Sequence, residues 1–262
     1  MFVLDVKNPS GSWVTLTGNE SDYAVINVTG LNPPPAQINL TNLAMQDGSL
    51  FNSSKVATRN IVITIALTFN HETNRYIITD FFRVKEKCSM IFRTDSRQAI
   101  IEGYVESVEV NAFSEAEEIQ ISVICPFPWF RDVAQSGTHT EVLYGDAEPL
   151  TVVNPSELPV GAAFRCTFST NATYLQIQNI TTGEALNLNY NFLAGDIVTI
   201  DTASGSRTVE LTRGGNTSSV FSALSIGSKF LQIPMGSSQL ECASDDEDVE
   251  GLITYTNLYR GL

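Results

Sequence analysis

The sequence predicts a mainly β protein with two domains, an N-terminal α+β domain with one helix and a C-terminal β-sandwich. Its 262 residues are enough for two separate hydrophobic cores. Apolar residues make up 43% and charged residues only 17%, a balance that favours strands when Lys is scarce and Ile, Val and Thr are abundant. Long apolar–polar alternation in the first half and short strands between turn signals in the second complete the prediction.

The first domain is expected over residues 1–132. Two segments alternate most clearly, 61–69 and 118–125, and each places its large apolar residues on one face. Residues 30–35 contain three prolines, which cannot lie inside a ladder, so they form an extended connection. The remaining strands are expected at 25–29, 38–40, 89–93 and 98–110, with a turn at Asp47-Gly48-Ser49 and a loop at 112–117.

One helix is predicted in the first domain, over residues 71–83. Tyr76, Ile77, Phe81 and Val84 lie near helical spacing, and Asn70 is a candidate N-cap.

The second domain is expected over residues 133–262, after a polar linker at 132–140. No helix is predicted here, and glycine-containing turns separate short strands in the way that is typical of a β-sandwich. The expected strands are 164–168, 174–178, 197–201, 208–211, 230–233 and 251–255.

The charge of the chain argues against nucleic-acid and membrane-surface binding. The formal net charge is −14, which repels phosphate and anionic lipid. No apolar run reaches the roughly 18 residues of a membrane span. The N-terminus has no secretory pattern, so the seven N-x-S/T patterns are interpreted as chance occurrences and not as glycosylation sites.

No catalytic residue, cofactor or metal is expected. The four cysteines form no CxxC pair and are predicted to be free and buried, and two histidines do not suffice for a zinc site. The acidic run at 245–248 leaves Ca²⁺ open as an alternative, although it lacks the spacing of an EF-hand loop. Hydroxyl residues have no evident His partner, and the loop carboxylates are typical of solvated faces, so the protein is not expected to be an enzyme.

Several short motifs, in their order and spacing, resemble the siphophage distal tail proteins, the Dit family. In the first half the markers are Gly30-Leu31-Asn32-Pro33-Pro34, Asp47-Gly48-Ser49-Leu50-Phe51, Arg59-Asn60-Ile61, Gly103-Tyr104-Val105-Glu106, Phe113-Ser114 and Cys125-Pro126. In the second half they are Asn154-Pro155 and the segments 164–169 and 194–202.

The resemblance implies a structural protein of the virion at the distal end of a phage tail, made in the host cytoplasm. Family members form a homohexameric ring through an N-terminal domain built as a split barrel or sandwich with one helix, and the C-terminal domain is a galectin-like β-sandwich. The ring surrounds the DNA exit channel, where DNA passes without specific binding. Its implied partners are the major tail tube protein, a hub or lysin-type tail-tip protein and, in some relatives, receptor-binding proteins.

Two groups of residues are candidates for contacts between subunits or domains. Trp129 and Phe130 either anchor an interface if they are exposed or fill the seam between the domains if they are buried. Arg93, Arg97 and Arg131 either face the channel or pair with acidic neighbours of the next subunit.

Two other functions compete with the structural ring. A carbohydrate-binding adhesion module acting through the C-terminal sandwich would need an exposed aromatic platform, for which Tyr174, Tyr190 and Phe192 are candidates. A hydrolase of host wall material would need a cleft with convergent carboxylates.

Overall fold

The computed structural model describes residues 3–17, 23–45, 47–67, 69–111, 117–133, 138–145, 148–246 and 248–262. The chain divides into two compact units. Unit 1 comprises residues 1–133 and 259–262, and unit 2 comprises residues 134–258. The last four residues therefore belong to unit 1, whereas the second domain was predicted to extend over 133–262. Parts of the predicted loop at 112–117 and linker at 132–140 lie outside the described residues.

Unit 1 is built around a sheet that closes on itself. Its strands are β1 (Val3–Lys7), β2 (Trp13–Thr17), β3 (Tyr23–Thr29), β4 (Ala36–Asn42), β5 (Ser49–Val56), β6 (Arg59–Leu67), β7 (Lys87–Arg93), β8 (Gln98–Val110), β9 (Glu118–Cys125) and β10 (Phe130–Asp132). The strand β22 (Leu258–Tyr259) also belongs to the main sheet of unit 1. The order of this nine-stranded sheet is β22-β10-β8-β7-β1-β2-β3-β6-β9, and β4 and β5 form a separate two-stranded sheet. The 13-residue strand β8 also pairs with β9, which closes the sheet into a barrel; the family resemblance had implied either a split barrel or a sandwich.

The core of unit 1 confirms the two clearest alternation patterns. Ile61, Ile63 and Ile65 on β6 are fully buried, and Ile119 and Ile121 on β9 face the same core. The β6–β9 pairing opposes these residues directly, Ile63 to Ile121 and Ile65 to Ile119, so two strands with matched alternation fill one layer.

The helix α1 (His71–Phe81) exists as predicted but buries a different face. Asn74, Ile78 and Phe82 lie on the buried side at a spacing of four residues, whereas Tyr76 is 62% exposed. Asn70 has left-handed backbone geometry and its side chain makes no capping hydrogen bond. Instead the Asn74 amide donates to the Phe69 carbonyl oxygen at 2.7 Å, which fixes the entry of the chain into the helix.

Unit 2 is a sandwich of two antiparallel sheets. Its strands are β11 (Thr138–Tyr144), β12 (Leu150–Asn154), β13 (Val160–Thr167), β14 (Ala172–Asn179), β15 (Glu184–Phe192), β16 (Ile197–Asp201), β17 (Thr208–Arg213), β18 (Asn216–Ser219), β19 (Gln232–Ile233), β20 (Gly236–Ser244) and β21 (Glu250–Thr256), with a 3₁₀ turn at Phe221–Ala223. One sheet has the order β11-β21-β13-β16-β17-β18 with β19 beside β13, and the other has the order β12-β20-β14-β15. Side chains from both sheets form a single core.

Candidate functional site

The hairpin β4–β5 is the most unusual surface of unit 1. It forms a two-stranded sheet of its own, and every residue of both strands is exposed. Leu40 is 55% exposed and Phe51 is 59% exposed. Isolated two-stranded hairpins are marginal in water, and large apolar side chains at this exposure usually mark an interaction surface.

The register makes this hairpin amphipathic. Asn39 pairs with Ser53 and Leu40 pairs with Phe51, so Asn52 is the extra residue of a bulge. Alternation then places Ile38, Leu40, Phe51 and Val56 together on what we call the apolar face of the hairpin. The opposite face carries the cross-strand hydrogen bonds of Asn39 to Ser53 at 2.9 Å and of Asn52 to Thr41 at 2.6 Å.

Arg59 is a structural centre of unit 1 that the sequence analysis missed. Its side chain is only 2% exposed and donates to the backbone carbonyls of Gly30, Asn32, Pro128 and Arg260. Its guanidinium lies 4.4 Å from the centre of the Phe130 ring. Burial lowers the pKa of Arg59, and neutral carbonyls take the place of a carboxylate partner. The only sequence signal was that Arg59 opens one of the family-like motifs.

The glycines of two other motifs have steric reasons to be glycine. Gly30 has φ +85°, and a Cβ there would lie 2.0 Å from the Asn60 carbonyl oxygen. A Cβ at Gly103 would lie 2.8 Å from the Cys125 sulfur. The motifs at 30–34, 59–61, 103–106 and 125–126 therefore pack together around Arg59 and β9.

The structure separates the two aromatic interface candidates. Phe130 is fully buried in the core of unit 1 and packs edge-on against Phe92, with ring centroids 5.8 Å apart. Trp129 is partly buried. Phe130 thus packs in the core of unit 1, and an interface role for Trp129 and Phe130 stays a prediction.

The three candidate channel arginines all have partners within unit 1. Arg93 pairs with Asp5 at 2.6 Å and Arg131 pairs with Glu102 at 2.9 Å. The Arg97 guanidinium lies 4.5 Å from the centre of the Tyr259 ring. The carboxylates of Asp5 and Glu102 therefore partly offset the positive charge that Arg93 and Arg131 offer to phosphate.

The acidic run of unit 2 is used locally. Asp245 accepts hydrogen bonds from the backbone N–H and hydroxyl of Thr173, and Asp246 accepts them from Thr170. Glu247 lies outside the described residues, and the described part of the chain contains no group of three or more His, Cys, Asp or Glu residues placed to hold a metal ion. These carboxylates anchor the turn before β14.

All four cysteines are buried free thiols, as predicted. Burial raises the pKa of Cys88 and of Cys125 to about 12. A hydrogen bond with Cys242, together with burial, also raises the pKa of Cys166. Such thiols act as small apolar groups and react slowly.

A further surface lies in unit 2 at a cavity of about 630 Å³ lined by Thr173, Asn189, Tyr190, Asn191 and Arg213, which we call the bulge pocket. Two of the sequence-predicted platform aromatics are partly exposed, Tyr174 and Tyr190 at 37% each, whereas Phe192 is buried. Among the described helices, none is long and apolar enough to span a membrane.

Comparison with known proteins agrees with the overall fold. Residues 156–259 match the family model described as "Siphovirus-type tail component, C-terminal domain". The SPP1 Dit protein, whose crystal structure is titled a paradigm of the hub adsorption apparatus in phages infecting Gram-positive bacteria, has a TM-score of 0.74 at 14% identity, over 98% of this chain and 99% of that one.

A chain of the phage P2 baseplate in its activated conformation with Ca has a TM-score of 0.49 at 11% identity, over 97% of this chain and 98% of that one. No curated protein sequence matches. The resemblance expected from the sequence motifs is confirmed: residues 156–259 match the C-terminal domain of the siphovirus-type tail component family, and the chain as a whole has the Dit fold.

Proposed function

We propose that this protein is a structural distal tail protein of a long-tailed phage or a related tail-like particle. Copies of unit 1 would form a ring, homohexameric as in the resembling family, that joins the tail tube to the tail tip and surrounds the DNA exit channel. The family match of residues 156–259 and the fold of the whole chain support a hub role. The observation that carries ring formation is the exposed apolar face of the hairpin β4–β5.

The occupant we propose for that face is a second copy of unit 1. Fully burying a large apolar side chain contributes about 1.5–3 kcal/mol of favourable free energy. Covering the exposed halves of Ile38, Leu40 and Phe51 would therefore contribute roughly 3–5 kcal/mol per hairpin to the association of two subunits. A ring repeats such a contact once per subunit. A head-to-tail contact of this kind closes into a ring when the rotation fits, and a filament results when it does not.

The other members of the assembly follow from this role. The faces of the ring would contact the major tail tube protein and a hub or lysin-type tail-tip protein, and unit 2 would remain available for receptor-binding proteins. Since each chain carries a net charge of −14, a ring repels the phosphate backbone and DNA would pass without binding. No chemical step is assigned to the protein.

The test is the solution mass of the full chain by light scattering across a concentration series. The wild-type protein is expected to show a multiple of the monomer mass. The double variant Leu40→Ser/Phe51→Ser, which removes one cross-strand pair of the apolar face, is expected to be monomeric at the same concentrations. At dilutions where both proteins are monomeric, its thermal unfolding should match that of the wild type, because both side chains are exposed in the single chain.

The matched control is Gln37→Ser/Lys55→Ser, a cross-strand pair of the same hairpin on the opposite face. This variant should assemble like the wild type. A monomeric wild-type chain at high concentration would overturn the ring, and loss of assembly in both double variants would show that the apolar face is not what holds it together.

A further inference from the structure

The bulge pocket owes its shape to an irregularity between β14 and β15. Ala172 pairs with Phe192 and Tyr174 pairs with Asn189, so Thr173 faces both Tyr190 and Asn191. This bulge interrupts the alternation of β15, and the three consecutive residues 189–191 are all exposed before Phe192 turns inward. Bulges re-aim side chains and are frequent beside binding sites.

The Tyr190 ring packs against neighbouring side chains. It packs at 48° against Phe192, with centroids 5.5 Å apart, and Phe192 stacks on Phe168 at 4.4 Å. The Arg213 guanidinium lies 5.9 Å from the centre of the Tyr190 ring. With 37% of the residue still exposed, Tyr190 offers a preorganised apolar surface to a ligand.

Hydrogen-bonding groups surround this ring. Within the part of the chain that the structure describes, no hydrogen bond occupies the side-chain amides of Asn189 and Asn191 or the Tyr190 hydroxyl. An amide side chain offers donors and an acceptor side by side, which matches the vicinal hydroxyls of a sugar. An aromatic face beside planar amides is therefore suited to a pyranose ring, whose C–H face is apolar and whose edge is polar.

The charges of the pocket favour a neutral ligand. Arg213 donates through Nε to Asp196 at 2.9 Å and through a terminal nitrogen to the Asn191 carbonyl oxygen at 2.8 Å. Its hydrogen bond to Asp196 lowers the pKa of that carboxyl and raises the pKa of Arg213. Both groups are therefore charged, and they form an ion pair in which the two charges compensate each other. The hydroxyl of Thr173 donates a hydrogen bond to Asp245 at 2.7 Å, and the Asp245 carboxylate adds a negative charge close to the pocket. An anionic ligand would meet no uncompensated cation here.

We propose that the bulge pocket is a binding site for a neutral, pyranose-containing saccharide. Tyr190 stacks on the apolar face of the sugar, and Asn189 and Asn191 hydrogen-bond its hydroxyl groups. Arg213 and Asp196 position the tyrosine and the bulged backbone without contributing net charge. This site would give unit 2 a recognition role of its own, independent of ring formation by unit 1.

The test uses the full chain and methyl glycosides of glucose, galactose and N-acetylglucosamine as probes, followed by saturation-transfer NMR and titration calorimetry. At least one neutral glycoside is expected to bind with a Kd on the order of 1 mM, typical of a single shallow subsite. Tyr190→Ala should weaken this binding roughly tenfold, equivalent to about 1.4 kcal/mol, while Tyr190→Phe should retain most of it.

The matched control is Tyr144→Ala, which removes another exposed tyrosine of unit 2 that does not line the pocket. It should leave saccharide binding unchanged. Asn189→Ala gives a second test that leaves the aromatic packing intact, and it too should weaken binding. The proposal is overturned if no neutral glycoside binds or if binding survives both pocket variants. The solution mass of the assembly, measured on the same samples, keeps this outcome separate from that of the ring.

Discussion

Replacing Arg59 with methionine should destabilise unit 1 more than any change at an exposed arginine. The substitution removes hydrogen bonds to the carbonyls of Gly30, Asn32, Pro128 and Arg260 and the contact with the Phe130 ring. These bonds tie three separate segments to the start of β6. Methionine fills a similar volume but satisfies none of the acceptors.

The magnitude follows from those four acceptors. A hydrogen bond from a charged donor contributes about 1.5–3 kcal/mol, and a buried acceptor left unpaired costs about 1–3 kcal/mol. Water will reach part of the freed carbonyls, since Asn32 and Arg260 lie at the surface, and the variant no longer has to bury a charge. We therefore expect a net loss of roughly 3–5 kcal/mol and a fall in the melting temperature of unit 1 on the order of 10 °C.

Two measurements test this expectation. Thermal unfolding followed by circular dichroism gives the loss of stability, and amide hydrogen exchange reports on the tail, where the Leu262 N–H donates to the Leu31 carbonyl oxygen at 3.1 Å. Exchange at Leu262 should become fast in Arg59→Met. The control is Arg83→Met, an exposed arginine of unit 1 that pairs with Asp80 on the helix surface and should leave both readouts nearly unchanged. If Arg59→Met melts like the wild type and still protects Leu262, the guanidinium is not what holds these segments.

Three further results are expected. The folded chain should resist alkylation at pH 8 at all four cysteines, because all four thiols are buried and burial raises the pKa of Cys88 and of Cys125 to about 12. Denaturant without reductant should expose four free thiols; a count of two or fewer would indicate disulfides. A fragment of residues 1–133 should be less stable than the same fragment with residues 259–262 restored through a short linker, since the tail belongs to unit 1; equal melting temperatures would contradict this. Unit 2 should lose stability as pH falls below about 4, because the pKa of Asp196 is lower in the folded than in the unfolded protein. The stability that Asp196 contributes is fully present above its unfolded-state pKa and is lost as pH falls through its folded-state pKa. Asp196→Asn should make the stability of unit 2 less dependent on pH in this acidic range.

DNA offers a separate check on the channel. The full chain should show no measurable affinity for duplex DNA at physiological salt in an anisotropy assay. Binding that weakens steeply with salt would reverse this expectation and would mean that arginines such as Arg93 and Arg131 leave their intramolecular carboxylate partners.

Local patterns in the sequence were sufficient for strands whose apolar and polar residues alternate cleanly against the core of their own unit. The alternation of β6 and β9 predicted their buried faces, because side chains of a strand point alternately to its two sides. The same reasoning identified the helix but assigned it the wrong face: Asn74, a polar residue, lies on the buried side with Ile78 and Phe82, and apolar Tyr76 lies outside. Several strands of mixed or polar composition, β11, β15 and β20 among them, gave too weak a signal.

What the sequence by itself determined is therefore the class of fold, the matched alternation of the core strands, the free buried cysteines and the family resemblance. Only the tertiary structure decided that Arg59 is buried among backbone carbonyls, that the apolar face of β4–β5 is exposed, and that a bulge exposes Tyr190 beside two asparagines. The physical reason is that burial, register and bulges depend on pairing between residues distant in sequence, such as Arg59 with Arg260. The position of a residue along its strand determines on which face of the sheet its side chain lies. The pairing register with the neighbouring strand determines which side chains it contacts.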